Sequence, residues 1–479
     1  MTPLLGFAPD LDPTTPGVIT ECANFVPYES GMKAANTPID VGQAALASAC
    51  RGSALTRDLS NTSRLFAGTS SNIYEAAGMT WNSAASGFAL SADDVWRFAV
   101  LGNSPLAVCP SANLQIYSGG VFSAIAGAPK AKVVVVAKGF VMLLATNDPV
   151  YGDSPDRWHC SASFDPTDWT PNVATQCGTG RLVEGAGPLT AGLRMGDTIV
   201  AYKERCVFVG QYVGGAAIWQ WSPPIGDVGC VGVEAVADTP IGHVFVGSDN
   251  FYLFDGTRPV PIGDQVKQWW LDNSSSQYRY RTKLLWDREN NSVMVFYPSA
   301  ASTGNCDSVL VYHILRRQWG VMTKTVEAVI NYASQGVTYD GGSPLITTYD
   351  TGPALSFDSP FWLTSKSSPG YFGTDHKIYT LTGAPGVSSF VTGDIGDESY
   401  FSWCDAVRVR CALQPTSMSI QGYTKAMSGA DVLAGSGSSF DGSKFPMRQL
   451  GRFHRFAVTL NGAGKFTAYA ASLKPAGNR

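Results

Sequence analysis

A motif that recurs throughout the chain without ever repeating letter for letter does most to limit what it can fold into. It runs as a short apolar strand, a polar turn, a second strand with an aromatic, and a glycine. It is read at 64–78, 106–120, 133–146, 198–210, 243–256 and 370–383, with a longer version at 292–320. The flanks alternate at period two, and centres such as Ser248-Asp249-Asn250, Lys203-Glu204-Arg205 and Thr374-Asp375-His376 suit chain reversal. Each unit therefore reads as a β-hairpin. A lone hairpin is marginal in water, so repeated ones must bury their faces against one another. Four-stranded blades stacked around an axis achieve this, and the mean spacing of roughly 50 residues matches one blade.

Composition agrees with many short strands and tight turns. Hydrophobic residues make up 44% of the 479 residues, charged ones only 15%, and there are 51 glycines. No long stretch carries a clean helical period, so little helix is expected. The formal charge of −4 supplies no basic field for gripping duplex DNA. The richest apolar run, 132–146, is too short for a membrane span and is interrupted by Lys138 and Gly139. The start of the chain lacks a basic segment followed by an apolar one, so no signal peptide is expected and synthesis is placed in a cytoplasm.

The uneven spacing predicts an all-β chain: an irregular β-propeller of five to seven blades over 46–395, preceded by an N-terminal arm, 1–45. That arm, rich in Pro, Thr, Asp and Asn, is expected to give one strand and otherwise to wrap a neighbour. The last segment, 396–479, reads as a small β-sandwich-like domain with a Gly/Ser-rich loop at 428–442.

Three stretches resemble one family: 188–215, 233–270 and the C-terminal 451–460. The opening 6–33, the motif at 157–171 and the long hairpin ending at 316–320 fit the same pattern. The chain is similar to the tail hub or nozzle proteins of short-tailed bacteriophages, the packaged-DNA stabilisation proteins among them. The resemblance implies a non-enzymatic propeller that forms a homohexameric ring below the portal and adaptor proteins, beside tail fibres or tailspikes. Such a ring, part of the virion, extends the channel for passing double-stranded DNA and retains the genome until infection. It implies no catalytic residue and no cofactor.

The residues themselves offer little competing chemistry. The ten cysteines are dispersed without close pairs and read as buried thiols, and His159, His243, His313, His376 and His454 are isolated, which argues against a metal. Ser163 to Trp169 resembles the Asp-box turn of sialidase-type propellers, where its role is structural. A carbohydrate-active or carbohydrate-binding propeller is the alternative, but the spacing of Asp153, Asp156, Glu184, Asp227 and Glu234 selects no pair of carboxylates. The compact basic groups are Arg279 with Arg281, Arg316 with Arg317, Arg408 with Arg410, and Arg452 with Arg455, which are candidates for interface or channel contacts. Arg408 and Arg410 share one face of a strand. Of the tryptophans, Trp219 or Trp221 is expected in the core, while Trp269 and Trp270 fit either core or interface.

Overall fold

In a computed structural model, residues 1–333, 367–427 and 429–477 are described. Among them, regular structure is almost all strand: the exceptions are one α-helix, Lys267–Asn273, and one 3-10 turn, Arg279–Arg281.

Seven antiparallel quartets of strands follow one another among the described residues, at 53–86, 97–124, 130–181, 189–221, 236–261, 283–326 and 328–383. Each hairpin read from the sequence lies in a different quartet. The first strand of every quartet packs against the first strand of the next, and Ala328–Tyr332 of the seventh packs back against Ser53–Arg57 of the first. The sheets thus have a propeller-like arrangement.

Local chemistry explains the individual hairpins. Lys130–Ala137 and Phe140–Asp148 are joined by Lys138 and Gly139, with φ of 52° and 83°. A two-residue turn with both centres left-handed matches the twist of its strands. Gly139 is also required by its neighbour, since a Cβ there would stand 2.7 Å from the Phe164 ring.

The seventh quartet takes its outer strand, Thr37–Asp40, from near the start of the chain, pairing Tyr379 with Asp40 and Thr380 with Ile39. Pro38 lies in this strand, and an outer edge is where a strand tolerates a missing donor.

The remaining strands form two facing sheets, the first of them continuous with the sixth quartet through the pairing of Phe25 with Val321. One carries Phe25–Tyr28, Gly31–Ala34, Lys465–Gly477, Phe401–Leu413 and Phe445–Gly451; the other carries Gly6–Phe7, Val18–Ala23, Val387–Thr392, Phe453–Asn461, Ser417–Lys425 and Leu433–Ser439. Phe25 stacks on Phe390 at 4.9 Å, and the Phe466 ring meets their edges at 5.9 and 6.0 Å. Ile420, Phe456, Val458 and Phe445 are buried in the same core. Each such side chain stabilises the fold by about 1.5 to 3 kcal/mol relative to exposure.

This corrects the reading of the chain ends. The segment 1–45 is not an arm with one strand: it carries six, five in the facing sheets and one in the seventh quartet. Val387–Thr392, assigned to the body, pairs with Val18–Ala23 and Phe453–Asn461 and belongs with the facing sheets. The expected loop at 428–442 contains the strand Leu433–Ser439, while its first residue, Ser428, lies outside the described residues. These strands escape a local reading because their partners are distant, as with Thr2 opposite Tyr469. Among the described residues no helix is long and apolar enough to cross a membrane.

Candidate functional site in the axial cavity

The segments that lead into the inner strands converge on a cavity of about 530 Å³. Its charged lining comes from six of the seven quartets: Arg51 ahead of the first, Asp93 and Asp94 ahead of the second, and Lys132 on the third. Glu234 precedes the fifth, Arg281 and Lys283 lie at the start of the sixth, and Glu327 precedes the seventh.

Glu234 is the centre of a buried ion cluster. It accepts from the Lys283 ammonium and, at 3.4 Å, from the Arg97 guanidinium. Burial acts to raise its pKa, but the charges and hydrogen bonds of Lys283 and Arg97 outweigh it and hold the carboxyl below its usual range. Burial likewise acts to lower Lys283, and Glu234 more than compensates, holding the ammonium above its usual value. Glu234 and Arg97 also line a second cavity of about 240 Å³, with Leu284 and Val329. The ion cluster therefore stands between two hollows on the axis.

The other carboxylates are engaged as well. Asp93 accepts from Arg281 Nε at 3.0 Å and from the Tyr280 hydroxyl at 2.9 Å. Burial opposes its ionisation, yet these bonds prevail and lower its pKa. Glu327 accepts from the Cys50 N–H at 2.9 Å and lies 2.9 Å from His376 Nδ1. Asp94 accepts from the Ser91 N–H at 3.2 Å and from the Ser111 hydroxyl. Burial pushes the Cys50 thiol up and the Cys306 thiol up to about 12, so neither is a ready nucleophile at neutral pH.

Of the basic residues singled out in the sequence, Arg281 alone lines this cavity. Arg279 lies over the Trp270 ring at 4.6 Å and donates to the Ser248 carbonyl. Arg316 and Arg317 are exposed on the turn after Cys306–His313. Arg408 and Arg410 project from the exposed face of Phe401–Leu413, opposite Ala470 and Ala468. Arg452 lies over the Phe401 ring, and Arg455 pairs with Asp394 at 2.9 Å. The four pairs thus sit on separate elements.

The histidines are tied into the fold: His159 to the Trp169 carbonyl, His243 between Tyr202 and Arg194, His313 to the Arg316 N–H, and His454 between Ser402 and Gln449. Trp169 closes the Ser163 to Trp169 turn, donating to the Pro166 carbonyl at 2.8 Å. Trp219 and Trp270 are core residues, and Trp269 meets Phe7 edge-on at 4.9 Å.

The sequence reading names Glu234 only as one carboxylate among several, misses its partners Arg97 and Lys283, and does not single out Arg51, Asp93, Asp94, Lys132 or Glu327 of the same lining. A usable signal existed. In a propeller the residues just ahead of each inner strand point to the axis, so charges at that position of each repeat should converge.

No family model matches the chain, and no curated protein does. Among solved structures it is similar to a chain of the mitotic checkpoint complex, at 9% identity and a TM-score of 0.40, covering 74% of this chain and 96% of that one. The WD40 domain of Pan2 from Neurospora crassa gives 9% identity and a TM-score of 0.37, covering 70% and 88%. PorZ, a surface component of the type-IX secretion system of Porphyromonas gingivalis, gives 11% identity and a TM-score of 0.39. There the match covers 76% of this chain and 44% of PorZ.

Proposed function

We propose that this protein is a virion structural component: a seven-bladed propeller joined to a two-sheet unit, and one copy of a homohexameric hub or nozzle ring in the tail of a short-tailed bacteriophage. It extends the DNA channel below the portal and adaptor proteins, contacts tail fibres or tailspikes, and helps retain the genome until infection. The observation that carries this reading is the latch of Glu234 between Lys283 and Arg97. It ties segments of the second, fifth and sixth quartets together at the axis, as suits a rigid building block. The DNA path then runs along the axis of the ring, not through any one propeller. With a formal charge of −4 the protein does not hold passing phosphates by counterion release.

The competing reading, a carbohydrate-active or carbohydrate-binding propeller, finds less support in the cavity. A glycosidase needs one carboxyl kept protonated by a raised pKa. Asp93 and Glu234 are instead held ionised by the cations beside them.

Cryo-electron microscopy of the intact particle tests the proposal. The expected result is a closed ring of this chain around an axial channel at the distal tail. Peripheral monomers or trimers with open axial cavities would overturn it and leave carbohydrate recognition as the better account.

A further inference from the structure

The chain is acidic overall, yet one part of the two-sheet unit is strongly basic. The adjacent strands Phe401–Leu413, Phe445–Gly451 and Lys465–Gly477 hold Arg408, Arg410, Arg448, Lys465 and Lys474 against a single carboxylate, Asp405. Lys474 already engages that carboxylate at 2.6 Å, and the hydrogen bonds from Lys474 and Ser472 hold it down at about 2. Nothing comparable neutralises the arginines. Arg408, Arg410 and Arg448 are exposed, and among the described residues their guanidinium groups make no hydrogen bond or ion pair.

All three project from the outer face, since the inward residues of the same strands, Cys404, Val407, Phe445 and Met447, belong to the core. At one end of this face Trp403 stands directly opposite Leu450, and the two are 40% and 50% exposed. Beside Arg408 and Arg410 stand only Ala470 and Ala468, which leave the surface flat. Arginine and tryptophan are the side chains that protein interfaces concentrate.

We infer that this face docks an acidic polypeptide, an extended segment of a partner protein with carboxylates at alternate positions and an apolar side chain beyond them. Charge complementarity selects the occupant. Arg408 and Arg410 are alternate residues of one strand, about 6.5 to 7 Å apart, which is also the spacing of alternate side chains in an extended segment laid along it. Each guanidinium fork matches a carboxylate. Duplex DNA would bring phosphates to the arginines but nothing apolar to Trp403 and Leu450. A second copy presenting the same face would set arginine against arginine. The face belongs to the single chain, so a failed ring would leave the inference standing.

Fluorescence anisotropy with the full chain decides the matter, the probe being a dye-labelled peptide of alternating glutamate and serine that ends in two leucines. Binding is expected with a Kd below about 100 μM at about 50 mM salt, and at least about tenfold weaker at about 0.5 M. The glutamine analogue and the peptide lacking its leucines are each expected to bind at least about fivefold more weakly. Arg408→Gln combined with Arg410→Gln lowers the affinity by at least about fivefold and keeps the melting temperature, because both side chains are exposed and unpaired. Arg448→Gln, on the neighbouring strand, gives a smaller loss in the same direction. Trp403→Ala weakens the leucine-bearing peptide and not the leucine-free one. The same charge change on a turn of the sixth quartet, Arg316→Gln with Arg317→Gln, leaves the affinity as it was. No binding up to about 1 mM would overturn the inference, and so would equal binding of the glutamine analogue or an equal loss in the Arg316 and Arg317 variant. A lower melting temperature in the Arg408 and Arg410 variant would overturn it by showing that these arginines serve the fold. Tighter binding of a short DNA duplex, unaffected by Trp403→Ala, would overturn it by assigning the face to nucleic acid.

Discussion

At the scale of single residues, two positions show how little freedom the core leaves. Gly68 faces the indole of Trp96, which is 1% exposed and donates to the Thr69 carbonyl. A Cβ at Gly68 would fall 2.1 Å from Trp96 Cδ1, so Gly68→Ala must displace a packed ring. The expected loss is about 1 to 3 kcal/mol in urea unfolding, and a variant as stable as wild type would show that the ring can move freely. At Glu234, substitution by Gln keeps the shape but strands the Lys283 and Arg97 charges in a dry setting. We expect Glu234→Gln to cost about 3 to 5 kcal/mol, while a loss below about 1 kcal/mol would mean that water reaches the cluster. Neither role is readable in the sequence, because each depends on a neighbour in another segment.

At the scale of elements, the circle depends on a strand borrowed from far away. Thr37–Asp40 completes the quartet of Ala328–Tyr332, Ser368–Phe372 and Ile378–Gly383, and Asp40 pairs with Lys377 at 3.3 Å. Replacing residues 37–40 with a Gly/Ser stretch should expose the outer edge of Ile378–Gly383. Hydrogen exchange of its amides is then expected to speed up by about tenfold or more, while those of 189–221 hold their protection until global unfolding. Unchanged protection at 378–383 would mean that the circle is closed by other contacts. The hairpins themselves were legible, since period-two alternation and turn chemistry are local properties. The strands of 1–45 were not, because short runs such as Thr2–Pro3 and Gly6–Phe7 have no alternation to detect.

For the whole molecule, buried ionisable groups set the pH range of stability. Burial lowers the pKa of His159, His243, His313 and His454 in the fold. Below about pH 6.5 the unfolded chain therefore binds more protons than the folded one, so stability falls with pH. Glu234 acts in the same direction further down: its lowered pKa gives stability that is present above about pH 4.3 and lost as pH falls through the folded value. Lys283 is raised, so its contribution is complete below about pH 10.4 and disappears as pH climbs through its folded value. The urea midpoint should be lower at about pH 5.5 than at about pH 7.5; equal midpoints would mean that the histidines titrate as freely as in the unfolded chain.

The sequence alone determined the all-strand character, the seven hairpins and the turns between them, because each is fixed by residues within a few positions of one another. The tertiary structure decided which strand closes the circle and joined both chain ends in facing sheets. It also brought Arg97, Glu234 and Lys283 together on the axis, across separations of 137 and 49 residues. Contacts between such distant residues depend on how the quartets stack, which the pattern within any one hairpin does not specify.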